Sequence, residues 1–208
     1  MPLETPITPG AVDWTGENPG IILKTPEGAV SAVALFFRIA WSPVGQGHVL
    51  SLFGTPGAAE GTPEAPNVLL SDNPALGEFI RDRFIARLEG LAAHPAFGGM
   101  RHEAATAVRA SGDPMGARYT ETVSRPGLTV DLVWEGLERP RALELPPELT
   151  GTQAHTMFTL LVPAQRAAIL VTGRPLPGAV GKREQAGMKT STAFLYFSET
   201  WIFPPEGA

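Results

Sequence analysis

Apolar and polar positions alternate along much of the chain with the two-residue period of β-strands. In the clearest case, segment 128–137, one face carries apolar side chains and the other polar ones: Leu128, Val130, Leu132 and Trp134 against Thr129, Asp131 and Glu135. Such a strand has one buried and one wetter face, as in antiparallel sheets. Arg125-Pro126-Gly127 provides a tight connection to segment 117–125, so the two segments are predicted to form a hairpin.

Other short runs rich in β-branched and aromatic residues also predict strands. The full set of predicted strands is 21–24, 30–41, 48–53, 67–71, 101–110, 117–125, 128–137, 141–145, 155–162, 167–172 and 191–203. About ten strands with short links predict a mainly β fold, either a closed or nearly closed antiparallel barrel or a bent sandwich. Among closed forms, a calycin-like barrel fits the strand number best, as an architectural analogy.

One segment has the period of a helix instead. Asn73 is a natural N-cap, and Pro74 stands at the first helical position, where its missing N–H is harmless. Apolar residues then recur every three or four positions, at Leu76, Phe79, Ile80, Phe84, Leu88 and Leu91. His94-Pro95 is expected to end the segment. The pattern predicts one amphipathic helix over about 74–93, packed as a lid on the sheet.

Composition changes this picture at three places. The chain of 208 residues contains 23 Gly and 21 Pro, well above average usage of about 7% and 5%. These helix breakers concentrate in segments 1–28, 54–66 and 173–189. Residues 1–28 are therefore predicted to form an irregular N-terminal arm and residues 29–208 a single barrel-like domain. Segment 54–66 is predicted to be a mobile loop.

Charge and cysteine content exclude several classes of function. The net charge of −5 and pI near 5.4 disfavour nucleic-acid binding, which needs clustered cations. Without cysteine there is no disulfide, thiolate nucleophile or sulfur-ligated zinc. The first 30 residues show no signal peptide, and the longest apolar run, 32–37, is far shorter than the ~20 residues of a membrane helix. We therefore expect a cytoplasmic protein, and the scarcity of lysine relative to arginine is typical of a GC-rich bacterial genome.

Common catalytic motifs are absent or incomplete. His102-Glu103 begins like the zinc motif His-Glu-x-x-His, but Thr106 stands in place of the second histidine. Segment 178–183 resembles a phosphate loop but has Arg183 in place of the Ser or Thr. No Gly-x-Ser-x-Gly nucleophile elbow occurs. No cofactor and no metal are predicted.

Two charged residues interrupt apolar faces of predicted strands. Arg38 stands in an otherwise small and apolar face of segment 30–41, and Glu199 stands among Leu195, Phe197, Trp201 and Phe203. A buried charge needs a partner because desolvation costs several kcal/mol per ion. In a closed barrel the first and last long strands commonly meet, so Arg38 and Glu199 are predicted to approach each other. They would form either a structural ion pair or a polar anchor in an apolar cavity.

Three further groups are candidates for a site. His48 and His155 each open a predicted strand and would act together only if those strand ends share a rim. The Gly/Pro-rich loop 173–189 is strongly cationic, with Arg174, Lys182, Arg183 and Lys189 against Glu184 alone. Such a loop either gates a cavity and attracts an anion or is simply solvated. The strand aromatics Trp134, Tyr196 and Trp201 are core residues or the wall of a ligand cavity.

These features predict a β-barrel that binds a small apolar or amphipathic molecule. Its ligand-binding residues would be Arg38, Glu199, Trp134, Tyr196, Trp201 and His155. One alternative is an enzyme in the same cavity, with Glu199 or His155 as acid or base and Arg38 stabilising negative charge. Another is an interaction module whose arm, residues 1–28, docks on a second copy of the chain to form a homodimer. Neither nucleic acid nor membrane is an expected partner.

Overall fold

The computed structural model describes residues 10–54 and 64–205 and, of Glu89, the backbone alone. Its strands are β1 (Ala11–Glu17), β2 (Gly20–Lys24), β3 (Val30–Trp41), β4 (Gly47–Gly54), β5 (Val68–Ser71), β6 (Arg101–Ala104), β7 (Ala107–Gly112), β8 (Arg118–Arg125), β9 (Leu128–Leu137), β10 (Arg141–Leu145), β11 (Thr156–Val171), β12 (Arg174–Pro175), β13 (Ala179–Val180), β14 (Lys182–Gln185), β15 (Met188–Ser191) and β16 (Ala193–Phe203). Between β5 and β6 lies a helical segment made of α1 (Pro74–Phe79), a π-helical turn (Ile80–Phe84), a 3₁₀ turn (Ile85–Arg87) and α2 (Glu89–Ala92). A second 3₁₀ turn (Pro147–Leu149) follows β10.

One large sheet organises the fold, in the order β6-β5-β4-β3-β1-β16-β11-β9-β8-β7, with β2, β10, β12 and β13 attached beside this path. Its strand pairs are antiparallel except for the parallel pair of β5 and β6. The strands β14 and β15 form a separate small sheet. The prediction of a mainly β, mostly antiparallel fold is therefore confirmed, and so is the hairpin of β8 and β9, in which Arg125 pairs with Leu128.

The strand path of the large sheet is open, and the described strands do not form a closed barrel. Its two edge strands, β6 and β7, are nevertheless consecutive in the chain. The link between them touches both halves of the sheet, because Ala105 N donates to Ser71 O and Thr106 N donates to Ser124 O. The sheet is therefore curled, and its two edge strands are joined by a link of only two residues, Ala105 and Thr106.

The curled sheet encloses an apolar interior built from both of its halves. Phe36, Leu50 and Leu52 from β3 and β4 share this core with Leu132 and Trp134 from β9. Trp134 Nε1 donates to Gly20 O at 3.2 Å across the interior. The predicted alternation in segment 128–137 is confirmed, because its apolar face lies in this core.

A second core lies on the other face of the sheet, beneath the helical segment. Phe84 from the π-helical turn packs against Trp14 and Trp201, with ring centroids 5.3 Å and 4.5 Å away. Leu76, Phe79 and other members of the predicted apolar face belong to this core. The helical segment is therefore a lid on the sheet, as predicted. Within the described residues, no helix has the length and apolar character needed to span a membrane.

The helical segment begins as predicted and ends at Ala92, near the predicted end, but it is not one continuous α-helix. Asn73 Oδ1 accepts from Leu76 N at 3.3 Å, and Pro74 occupies the first turn. After Phe79 the helix widens into the π-helical turn, and the following 3₁₀ turn ends at Leu88, whose ψ of 92° is extended. A π turn accommodates an extra residue, which allows the neighbours Phe84 and Ile85 both to be buried.

The structure also differs from the prediction in the N-terminal arm, residues 1–28. Residues 11–17 are not irregular but form β1, which lies between β3 and β16, whereas the strand predicted at 21–24 is confirmed as β2. The first and last long strands therefore do not pair with each other. Residues 1–9 of the predicted arm and residues 55–63 of the predicted mobile loop lie outside the described residues.

Smaller differences concern strand boundaries. Segment 101–110 forms two strands, β6 and β7, on opposite edges of the sheet. Segments 155–162 and 167–172 lie in one long strand, β11, that pairs with β16 through its first half and with β9 through its second. The predicted loop 173–189 contains β12, β13, β14 and the start of β15. Their two to four residues each are too short to give a clear alternation.

Candidate functional site

A cavity of about 260 Å³ lies between the large sheet and the helical segment. The sheet supplies Leu35, Met157 and Trp201 to its wall, and the helical segment supplies Phe84 and Leu88. All of these side chains belong to the core beneath the helical segment or pack against it. The cavity is therefore on the opposite face of the sheet from the enclosed interior.

Polar side chains meet at one side of this cavity. Arg183 projects from β14 and places its guanidinium over the ring of Phe194, 4.0 Å from the centroid. Its Nη2 donates to Tyr196 Oη at 2.7 Å and to Gln185 Oε1 at 3.0 Å. Tyr196 Oη in turn donates to Gln185 Oε1 at 2.6 Å. The hairpin of β14 and β15 is thus tied to the sheet by a network of one cation and two neutral groups.

Two buried polar atoms of the cavity wall have no hydrogen-bond partner in the described protein. They are the acceptor Asn18 Oδ1 and the donor Arg183 Nε. The Asn18 residue is only 5% exposed, and its backbone N–H donates to Tyr196 O, which fixes it beside the network. Unpaired buried polar atoms are rare in folded proteins and call for an explanation at each position.

Glu199 lies behind the cavity wall and is fully buried. Its Oε1 accepts from Trp201 Nε1 at 2.7 Å, while Oε2 has no partner among the described residues. Burial raises the pKa of the Glu199 carboxyl well above its usual range, against smaller opposing effects of Trp201 and Arg183. Burial therefore favours the neutral form of this carboxyl in the folded protein. Burial also raises the pKa of the Tyr196 phenol.

The predicted approach of Arg38 to Glu199 is wrong. Arg38 shares its sheet face with Phe36, a residue of the enclosed interior, and contacts other carboxylates instead. Its Nη1 donates to Glu17 at 2.8 Å, and its Nη2 donates to both carboxylate oxygens of Glu121 at 2.9 and 3.0 Å. Burial is the main cause of the raised pKa of Glu121. This network is a structural ion pair remote from the cavity wall.

A bulge explains why the sequence pattern assigned Glu199 to the wrong face. Ser198 has a φ of 50°, and the pairing of β11 with β16 shifts register between Phe158 and Leu160. One extra residue reverses the alternation of a strand beyond it. Leu195 therefore points into the enclosed interior, whereas Trp201 belongs to the other core together with Tyr196.

The structure places the remaining predicted ligand-binding residues at three different locations. Tyr196 and Trp201 line the cavity. Trp134 is fully buried in the enclosed interior, away from it. His155 is also fully buried and lies behind Trp201, with ring centroids 5.5 Å apart.

His155 belongs to a buried hydrogen-bond network that includes Thr152 and Asp13 and extends to Thr150 of the cavity wall. Its Nδ1 lies 2.8 Å from Thr152 Oγ1, and its Nε2 lies 3.2 Å from Asp13 Oδ2. His48 instead contacts Asp72, at 2.6 Å from Nδ1 to Oδ2, so the two histidines share no partner. Among the described residues, no group of three His, Asp or Glu side chains is arranged to hold a metal ion.

Sequence reasoning missed Asn18 and assigned Arg183 only to a cationic loop. Asn18 falls in a segment read as irregular, and its role depends on β1 entering the sheet beside β16. The loop composition was a useful signal for Arg183, because that loop does border a cavity. Comparison with protein-family models, with curated proteins and with solved structures found no match for the chain.

Proposed function

We propose that the protein binds a small, largely apolar molecule with one polar end in the cavity beneath the helical segment. The observation that carries this proposal is a largely apolar cavity whose wall includes the partly buried cation Arg183 and the neutral polar side chains of Asn18, Gln185 and Tyr196. Arg183 is partly removed from water, and its electrostatic interaction with a polar group of a ligand is stronger there than in bulk water.

The apolar part of the wall suits the other end of such a ligand. Trp201 and Phe84 offer aromatic surface, and Met157 offers a flexible thioether that adapts to different shapes. The cavity of about 260 Å³ is slightly smaller than the roughly 300–1,000 Å³ typical of drug-sized ligands. A compact molecule therefore fits better than an extended lipid.

The enzymatic alternative has less support. A general acid or base must come within about 2.6–3.2 Å of the substrate proton, directly or through one water. Glu199 and His155 are both fully buried and lie behind the wall. The alternative of a homodimer built by the N-terminal arm also has less support, because residues 11–17 and 20–24 of that arm already pair within the sheet.

The proposal is tested by measuring binding of two eight-carbon probes, 1-octanol and octanoate, by ligand-observed NMR and calorimetry. In the variant Leu91→Trp, a larger side chain fills the cavity from the helical segment, so affinity for both probes is expected to fall at least about tenfold. The matched control is Met115→Trp, which adds the same ring at a residue that is 65% exposed and outside the cavity. Absence of binding to the wild type, or unchanged binding to Leu91→Trp, would refute the proposal.

A further inference from the structure

We infer that the polar end of the ligand is a carboxylate and that Arg183 binds it. This inference rests on the proposed function and specifies the chemical class of its ligand. Arg183 is the cation of the cavity wall, and the other polar side chains there are the neutral Asn18, Thr150, Gln185 and Tyr196. Among the wall side chains that the structure describes, there is therefore one positive charge and no negative charge.

The hydrogen-bond partners of Arg183 differ in charge from the partners of the arginines that form ion pairs in the described chain. Seven other arginines lie within 4.0 Å of a carboxylate, namely Arg38, Arg81, Arg83, Arg101, Arg118, Arg125 and Arg166. Arg183 instead donates to an amide oxygen and a phenol oxygen. A cation that is partly buried without a counter-ion favours an anionic ligand, because a desolvated charge is costly until it is paired.

Glu199 does not supply the missing negative charge. Its charge would interact with Arg183 and Tyr196, but burial raises the pKa of its carboxyl and so favours the neutral form. Its unpaired oxygen also lies behind Trp201 and outside the wall. The positive charge of Arg183 therefore remains available to a ligand in the cavity.

The guanidinium of Arg183 is held in place before any ligand binds. It stacks on Phe194 at 4.0 Å and lies 5.8 Å from the ring centroid of Tyr196. Hydrogen bonds to Gln185 and Tyr196 use Nη2 and leave the N–H of Nε without a partner. Little side-chain entropy remains to be lost when a carboxylate binds the guanidinium. The charge-assisted hydrogen bond formed there is of the stronger kind.

The hairpin that carries Arg183 adds a longer-range attraction. Lys182 and Lys189 are exposed on β14 and β15, with Glu184 opposite Lys189. Positive charge around a cavity raises the local concentration of anions at low ionic strength. The exposed Lys182 also provides a control, because it carries the same charge as Arg183 one residue away but points to solvent.

The inference is tested with three probes that share one alkyl chain: octanoate, 1-octanol and octylammonium. Calorimetry on the wild-type protein is expected to show octanoate binding at least about tenfold tighter than 1-octanol, with octylammonium the weakest. In Arg183→Gln, octanoate affinity is expected to fall at least about tenfold while 1-octanol affinity changes less than about threefold. Arg183→Lys should recover part of the octanoate affinity, and Lys182→Gln should retain nearly all of it.

Each outcome separates this inference from the proposed function. Equal binding of octanoate and 1-octanol to the wild type overturns the carboxylate assignment and leaves the proposed function intact. Absence of binding by all three probes refutes both. Should Arg183→Gln fail to fold, the NMR signal of Arg183 Nε–H in the wild type decides the assignment. It is expected to shift on addition of octanoate but not of 1-octanol, and an unshifted signal under saturating octanoate overturns the role of Arg183.

Discussion

Replacing Glu199 by glutamine should change how the stability of this protein depends on pH. The carboxyl is fully buried, its Oε1 accepts from Trp201 Nε1 at 2.7 Å, and burial raises its pKa well above the ordinary value of 4.5. The folded protein therefore keeps a proton on Glu199 at pH values where the unfolded chain has lost it. Glutamine has the same shape and an oxygen that accepts the same hydrogen bond, but it does not titrate.

The sign and size of the effect follow from proton linkage. Between the ordinary pKa and the raised folded pKa, the folded state binds one more proton than the unfolded state. The free energy of unfolding then falls as pH rises, by about 1.4 kcal/mol per pH unit from this one group. Glu121 also has a raised pKa, but it is present in both proteins, so its contribution cancels. Between about pH 5 and the raised pKa of the folded state, the difference in stability between Glu199→Gln and wild type should shift in favour of the variant by about 1.4 kcal/mol per pH unit.

Urea denaturation followed by circular dichroism at half-unit steps from pH 5 to 7 measures this slope. The two curves should also differ by a constant offset. The buried amide N–H₂ of glutamine takes the place of Oε2, which has no hydrogen-bond partner in the described protein. Glu148→Gln is the matched control, since it removes an exposed carboxylate and should change stability by less than about 0.5 kcal/mol. Parallel curves for wild type and Glu199→Gln across the whole range would refute the raised pKa of Glu199.

Three further substitutions test other parts of the fold by the same denaturation assay. Arg38→Met leaves the buried Glu121 without its cation and should lower stability by about 3 kcal/mol at pH 7. The loss should be smaller at lower pH, because burial raises the pKa of Glu121 and favours its neutral form; an equal loss at pH 5 and pH 7 would contradict this. Asn73→Ala removes the N-cap of α1 and should cost about 1 kcal/mol, and no loss would show that the cap is dispensable. Gly112→Ala puts a Cβ against the backbone carbonyl of Arg118 at a φ of 85°, so a loss of at least about 1–3 kcal/mol is expected, and a stable variant would contradict the described turn.

Much of the strand content could be predicted from the sequence because alternation is a local property. The bounds of β3 were predicted to the residue, and β9 was predicted together with its hairpin to β8. The N-cap at Asn73 was equally local, since the capping side chain and the N–H that it accepts from are three residues apart. In contrast, no local pattern predicted the interruption at Leu88, where an extended ψ of 92° separates the 3₁₀ turn from α2.

The candidate site depended on contacts between residues far apart in the chain. Tyr196 and Trp201 were predicted as wall residues, and both line the cavity. Arg38 and Trp134 were predicted with them but face the enclosed interior. No local pattern marks Asn18, whose place beside Tyr196 depends on β1 lying next to β16.

By itself, the sequence determined that this protein is a mostly antiparallel β fold with one helical lid. Apolar residues recur every two positions in strands and every three or four in helices, and both periods can be recognised from residues that are close together in the chain. Only the tertiary structure decided which face each strand presents beyond a bulge, and therefore which charges meet. A single residue, Ser198 at a φ of 50°, moves Glu199 to the opposite face from Leu195. The same tertiary structure joins β14 to the sheet and brings Arg183 beside Asn18, at a cavity that neither segment could form alone.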